Sequence, residues 1–383
     1  MNRLMLTISA GEWEGINHRP HHFMRRCAAS GWTVIYLEPP ASLIAPLKDK
    51  RFLKRWKNWL KGLRKDEENL YLLAPPPVLP FGSKYRGINK LNQWCIARTI
   101  KGALRQFDNL SIDVYTFLPS AVDLLPFLST GRVIYDCVDD HAAFTGLINV
   151  RVIQGMEQEL MGRADLCFAT ANQLYEDRKA WSSNFHIVPN GAEYEHFACE
   201  GQRPSVPEEL AGINHPVVGF VGGISDWVDV SLIGAAAEQM QEVTFVLIGP
   251  VLTDVSCLEV LNNVKILGPR PYASLPAYVH FFDVCLIPFK LNKLTESVNP
   301  IKMFEYLAAG KPVISTPLPE VVVYRDVVML AEGVPGTVGA ITEALKPEAS
   351  SEEQVRCRQQ VARENSWDAR WQMVVALINN CQA

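Results

Sequence analysis

The sequence predicts an α/β protein built from two tandem doubly wound domains, and three observations carry that prediction. Short β-branched runs alternate with longer helical patterns throughout, the mark of parallel α/β layers. At 383 residues the chain is too long for one core of ordinary size. The rhythm breaks once, at 190–216, where "NGAEYEHFACEGQRPSVPEELAGINHP" has an Asn-Gly turn and scattered prolines but no periodicity.

In the first half, strands are expected at "RLMLTIS", "WTVIYLE", "NLYLLAP", "IDVYTFL", "RVIYDCV", "DLCFAT" and "FHIVP". Helices are expected at "RPHHFMRRCAAS", "KYRGINKLNQWCIARTIKGALRQF", "VIQGMEQELMGRA" and "ANQLYEDRKAW". After the break come the strands "VVGFVGG", "VTFVLIG", "VKILG", "DVCLIPF" and "PVIST" with helices between them, and an amphipathic tail "SWDARWQMVVALINN". The expected domains are 1–195 and 215–365, joined by a linker at 196–214.

Composition excludes several classes. Hydrophobic content of 48% and charged content of 20% are those of a globular chain, and a net charge of −4 gives no nucleic-acid footprint. Nine scattered cysteines without a C-x-x-C pair argue for a reducing compartment and against a disulfide framework or structural zinc. "MNRLMLTISAGEWEG" reads as a first strand rather than an export signal, and no run of ~18 apolar residues occurs. The expected location is cytoplasmic.

One segment departs from the average. Residues 48–65, "KDKRFLKRWKNWLKGLRK", hold nine basic residues against the single acid Asp49. Phe52, Trp56, Trp59, Leu60 and Leu63 recur at helical spacing. A basic helix with an aromatic face is the pattern of a segment lying on the inner face of an anionic membrane. A solvated basic face that packs its tryptophans on the domain has the same pattern.

The stretch 297–316, "SVNPIKMFEYLAAGKPVIST", reads as helix then strand, with Asn299 as N-cap, Pro300 in the first helical position and Gly310 as the stop. Lys302 falls in the first turn, where the helix dipole disfavours a cation. An anion held by the amino-terminal N–H groups, outside the carboxyl end of "DVCLIPF", relieves that conflict. Glu305 shares the face and can accept from the vicinal hydroxyls of a ribose. A diphosphate cradle with a ribose clamp one turn deeper is the shape of a nucleotide site; a plain surface pair of Lys302 and Glu305 is the alternative.

That stretch resembles the nucleotide-binding signature of group 1 glycosyltransferases of the GT-B fold, the retaining class. "NPIKMFEYLAAGKPV" is similar to the subgroup that includes teichuronic acid biosynthesis glycosyltransferases. The resemblance extends to "RPHHFMRRCAASGWTVIYLEP", "VIYDCVDDHAAF", "IVPNGAEYEHF", "VVGFVGGISDWVDVSLI" and "LGPRPYASLPAYVHFFDVCLIPF", in the family's order. It implies two Rossmann-like domains facing each other across a cleft, the tail at 366–383 crossing back to complete the first. It implies transfer of a sugar from a nucleotide-diphosphate donor to a glycan or lipid-linked acceptor, with no metal and no other cofactor. A GT-B epimerase, an inverting transferase and a non-catalytic nucleotide-binding module remain the alternatives.

Residue by residue, Glu305 takes the place of the second glutamate of the family's E-x₇-E motif, and Ser297 falls where the first would stand, with Glu296 one residue out of register. The family's basic residue after the second domain's first strand is missing from "GGISDWVD". Lys302 is then the expected main phosphate cation, assisted by Lys290, Lys293 or Arg270, with Gly222 and Gly223 admitting phosphate to the backbone. The resemblance places Arg270 by the base and His141 beside the reacting sugar. Asp139 and Asp140 look like a metal pair, although GT-B enzymes hold diphosphate without one. Gly15, Arg19 and His21 are expected on the acceptor side.

Overall fold

The structure, a computed structural model, describes residues 3–14, 17–107, 111–143, 148–201 and 204–381. The chain divides into two units. The first runs to Val188 and resumes at Trp371; the second spans Pro189–Arg370.

The first unit is built on strands β1 (Arg3–Ile8), β2 (Thr33–Leu37), β3 (Arg64–Glu67), β4 (Leu70–Leu73), β5 (Ser111–Thr116), β6 (Val133–Cys137), β7 (Leu166–Ala169) and β8 (Phe185–Ile187). Their order is β3-β4-β2-β1-β5-β6-β7-β8, parallel except for the antiparallel β3–β4 pair. Seven of these strands fall where β-branched and aromatic runs predict them. β3, "RKDE", has no apolar residue to reveal it and is mostly exposed at the sheet edge. Leu4, Leu6, Val114, Tyr135 and Leu160 lie in the core beneath the helices. From Trp371 the last helix, Trp367–Asn380, packs here: Trp371 meets Phe23, and Arg132 donates to the Ile378 carbonyl at 2.6 Å while paired with Asp113.

The second unit has β9 (Val217–Val221), β10 (Thr244–Ile248), β11 (Val264–Gly268), β12 (Val284–Ile287), β13 (Val313–Ser315) and β14 (Met329–Leu330). All are parallel, in the order β11-β10-β9-β12-β13-β14. The chain steps outward from β9 to β11 and then returns to β12 on the other flank of β9. The switch point therefore lies between β9 and β12. Gly219, in the middle of β9, lies against the Phe282 ring: an added Cβ would sit 2.0 Å from it. The segment after 190 is less of a linker than its composition predicts. It contains a helix, Tyr194–Ala198, whose Tyr194 and Phe197 belong to the second core along with Leu210.

Candidate functional site

In open parallel sheets, ligands gather outside the carboxyl ends of the strands at the switch point. Two segments leave that point in the second unit: residues 222–229 after β9, and residues 288–300 after β12. They are laced together. Lys290 N–H donates to Trp227 O at 2.8 Å, and Asp229 N–H to Pro288 O at 2.7 Å.

Gly222 donates its N–H to Ile248 O at 2.8 Å, and a Cβ on Gly249 (φ +147°) would fall 1.9 Å from Gly222 O. Only glycine at 249 lets these backbones meet. Neither Gly222 nor Gly223 has a left-handed φ, so a tight turn does not explain them. A Cβ on Gly223 would touch nothing nearer than Ser225 Oγ at 3.8 Å, which leaves its backbone approachable. Ser225 itself is buried, and its hydroxyl has no hydrogen-bond partner among the described residues. Sequence reasoning passed over this residue; the signal was a small polar side chain in a loop from which the family's base is missing.

The helix after β12 spans Ile301–Ala308 and ends at Gly310, whose φ of +71° closes it. Asn299 is not its N-cap. Pro300 occupies that position and no side chain caps the first turn. Asn299 is used elsewhere: its Oδ1 accepts from Asn190 N–H at 3.1 Å, its carbonyl accepts from Asn190 Nδ2 at 2.9 Å, and its Nδ2 donates to Glu320. The first turn's amide groups are thus left uncovered by side chains.

Lys302 and Glu305 come together on this helix, Nζ to Oε2 at 2.8 Å, with side-chain exposures of 26% and 3%. Next along, Tyr306 Oη accepts from Val221 N–H at 2.8 Å, so the helix is pinned to the last residue of β9. Ser297 closes a short 3₁₀ turn, Thr295–Ser297, and is buried, whereas Glu296 and Lys293 are exposed. The register therefore turns the serine, not the glutamate, inward. Lys290 is exposed beside that turn.

Arg270 departs from expectation. It follows β11, which β10 and β9 separate from β12, and its Nε donates to Glu209 at 2.6 Å and to Tyr278 Oη at 3.2 Å. The guanidinium holds the Glu209 carboxyl below its usual range by hydrogen bonding. A partly exposed arginine tied to the turn Glu208–Leu210 is what the structure supports.

In the first unit, two acceptor-side expectations are corrected. Arg19 is buried, its Nε 2.8 Å from Asp136 Oδ2, which also accepts from Tyr115 Oη at 2.7 Å. His21 is fully buried; Nε2 lies 2.9 Å from Glu12 O, and Nδ1 accepts from His18 N–H at 3.1 Å. Burial pushes its pKa down to about 4, so the ring is a neutral brace for the helix Arg19–Ala29. Both side chains are taken up inside the unit. Gly15 lies outside the described residues.

His141 is partly buried just beyond β6, with Nε2 2.9 Å from Phe117 O. Burial pushes the Asp139 carboxyl up, with His141 opposing. Asp140 accepts from Arg178 at 2.9 Å, and Arg178 also bonds Glu157 at 2.8 Å. That carboxylate is spent on an arginine, and among the described residues no three His, Cys, Asp or Glu are grouped to hold a metal ion.

Comparison with known proteins gives this geometry a setting. Residues 215–346 match the family Glycosyl transferases group 1. That match contains both segments at the switch point and the Lys302–Glu305 helix. A relative named for teichuronic acid biosynthesis, the glycosyltransferase TuaH of Bacillus subtilis (strain 168), is 38% identical over 222 residues. The similarity takes in 54% of this chain and 55% of that protein, so the chain spans about half the length of the curated relative it matches.

Among solved structures, the sucrose-phosphate synthase of Thermosynechococcus elongatus is similar with a TM-score of 0.73 at 15% identity, over 99% of both chains. An E. coli trehalose-6-phosphate structure bound with UDP-2-fluoro glucose gives 0.69 at 11% identity over 98% of both. These likenesses show the fold, which is GT-B. No helix among the described residues is long and apolar enough to cross a membrane.

Proposed function

We propose that the chain is a glycosyltransferase that moves a sugar from a nucleotide-diphosphate donor to a glycan or lipid-linked acceptor in cell-surface polysaccharide synthesis. One observation carries the reading: an uncapped helix start at the β9/β12 switch point bears a lysine resting on a buried glutamate. The first-turn amides take the diphosphate, and Lys302 swings from Glu305 to a phosphate oxygen. Glu305 then accepts the ribose hydroxyls. Gly223 admits phosphate to the backbone, and Ser297 takes the donor-sugar position of the missing glutamate. A similar fold holding UDP-2-fluoro glucose supports a uridine diphosphate donor.

As the bond from the anomeric carbon to phosphate breaks, charge builds on the departing diphosphate, where Lys302 and the helix amides stabilise it. The retaining outcome follows from front-face attack: the acceptor oxygen bonds the anomeric carbon while its proton passes to the leaving phosphate. No carboxylate nucleophile is required. His141 is assigned a hydrogen bond to a sugar hydroxyl. The reaction needs no divalent ion, and activity that disappears in EDTA and returns with manganese would overturn that part. The protein works in the cytoplasm, with peripheral contact to an anionic membrane through residues 48–65.

Ser297 and the absent loop base favour a second reading, a nucleotide-binding module without turnover. A thermal-shift panel of UDP, GDP and their sugars separates the two when paired with anomer analysis of any product. Stabilisation should follow affinity and disappear in Glu305→Ala. Binding with no turnover across donors and lipid acceptors would establish the module. An inverted anomer would exclude front-face attack.

A further inference from the structure

The sequence predicts an apolar, aromatic face on residues 48–65 for membrane contact, and the structure divides it: Trp56 and Trp59 turn inward, whereas Leu60 stands in solvent and Phe52 lines an outer groove. In the helix Leu53–Leu60, Asn58 is buried, Trp56 and Trp59 are partly buried, and Trp56 Nε1 is inaccessible. Arg55, on the same side, pairs with Glu12. The opposite side shows a different pattern. Leu53 and Leu60 are seven residues apart and thus about 20° apart around the axis, with Lys57 between them. Leu60 is 76% exposed, Leu53 is exposed, and Lys57 is exposed with them.

This outer face continues beyond the segment. Leu47 is 87% exposed, and Leu43 and Ile44 are exposed beside it. A bridge between Ser42 and Val78, with Leu43 N–H donating to Val78 O at 2.8 Å, brings in the turn at 79–83. There Ile44, Lys48, Phe52 and Phe81 line a groove of about 330 Å³. Large apolar side chains standing this far into solvent on adjoining segments form a patch that calls for a partner.

The charges identify the partner. Arg51, Lys54, Arg55 and Arg64 are used on Asp49, Glu14, Glu12 and Glu38. Lys48, Lys50, Lys57 and Lys61 are exposed and form no ion pair among the described residues. Unpaired ammonium groups around exposed leucines match a bilayer with anionic headgroups, which accepts apolar insertion and fixed positive charge together. A nucleic acid would use the lysines but leave the leucines in water.

We propose that this leucine–lysine platform, and not the tryptophan face, docks the protein on an anionic lipid bilayer. Leu47, Leu53, Leu60 and Phe81 enter the boundary between headgroups and acyl chains, and Lys48, Lys50, Lys57 and Lys61 bind lipid phosphates. The inference deepens the membrane contact proposed above and rests on it.

The test is co-sedimentation of the full chain, without nucleotide, with phosphatidylcholine vesicles that do or do not contain about a third phosphatidylglycerol. Wild type should bind only the anionic vesicles, and less as salt rises. Leu47→Ser with Leu60→Ser should weaken binding ~10-fold or more. Lys48→Ala with Lys57→Ala should weaken it ~10-fold at low salt. Trp56→Phe with Trp59→Phe should leave it within ~2-fold, because those rings pack inward. The leucines are solvent-exposed, so unchanged circular dichroism is expected throughout. If the tryptophan variant loses binding and the leucine variant keeps it, the platform is wrong while membrane contact stands. If wild type ignores anionic vesicles, or prefers an acidic polymer to them, membrane contact itself falls. Neither result bears on the donor site, which the thermal-shift panel reads separately.

Discussion

Lys302 Nζ lies 2.8 Å from Glu305 Oε2 one turn along a single helix, and the glutamate is the buried partner. A carboxylate with so little access to water depends on its neighbour, while the lysine, a quarter exposed, is free to leave. The same pair can thus be a structural contact in one state and a divided set of ligand contacts in another.

Lys302→Ala should lower stability by about 1–2 kcal/mol, since it strands a buried carboxylate. The double variant Lys302→Ala with Glu305→Ala should lose less than the two single losses combined. Melting temperatures of the four proteins without ligand give the coupling. The donor-induced shift should be lost in all three variants; additive losses with a retained shift would make the pair incidental.

Two glycines in one strand-end cluster should behave in opposite ways. Gly249→Ala drives a Cβ into the Gly222 carbonyl at a left-handed φ, so it should destabilise by more than ~2 kcal/mol or prevent folding. Gly223→Ala meets only an ordinary contact and should melt like wild type. Its donor affinity should nevertheless fall ~10-fold if phosphate reaches that backbone, by isothermal titration.

His21 makes stability depend on pH. Its folded pKa of about 4 lies below the ordinary 6.5, mainly through burial, so between these values the unfolded chain binds the extra proton. Stability from this residue is intact above pH 6.5, falls as pH drops toward 4, and changes no further below. The full loss is about 3 kcal/mol. Urea unfolding at pH 7 and pH 5 should show a smaller drop for His21→Gln than for wild type.

Arg270→Ala removes an exposed pair with Glu209 and should leave the melting temperature almost unchanged. Donor affinity should stay within ~2-fold. A large loss of affinity would return Arg270 to the nucleotide.

Much of the architecture was legible because each buried strand needs an uninterrupted apolar run and each helix a period. β3 was hidden because an exposed edge strand needs neither. The Lys302–Glu305 helix was legible from spacing alone, but its cap was not: Asn299 has cap chemistry, and only the fold brings Asn190 close enough to claim it. Arg19 and His21 misled for a similar reason. Polar residue types at a helix start suggest a ligand, while the burial of Arg19 against Asp136 depends on distant chain and that of His21 against Glu12 on how the preceding loop folds back. Ser225, Leu47 and Leu53 were missed because exposure and an unsatisfied hydroxyl are properties of packing, not of residue type.

The charged rim of the first unit's sheet has a further consequence. β3 presents Arg64, Lys65, Asp66 and Glu67 at one border, and β8, only three residues long, ends the other. A neighbouring molecule seeking to add a strand meets a row of exposed charged side chains at the first and too short a template at the second. Growth of cross-β polymers from this sheet is thereby discouraged.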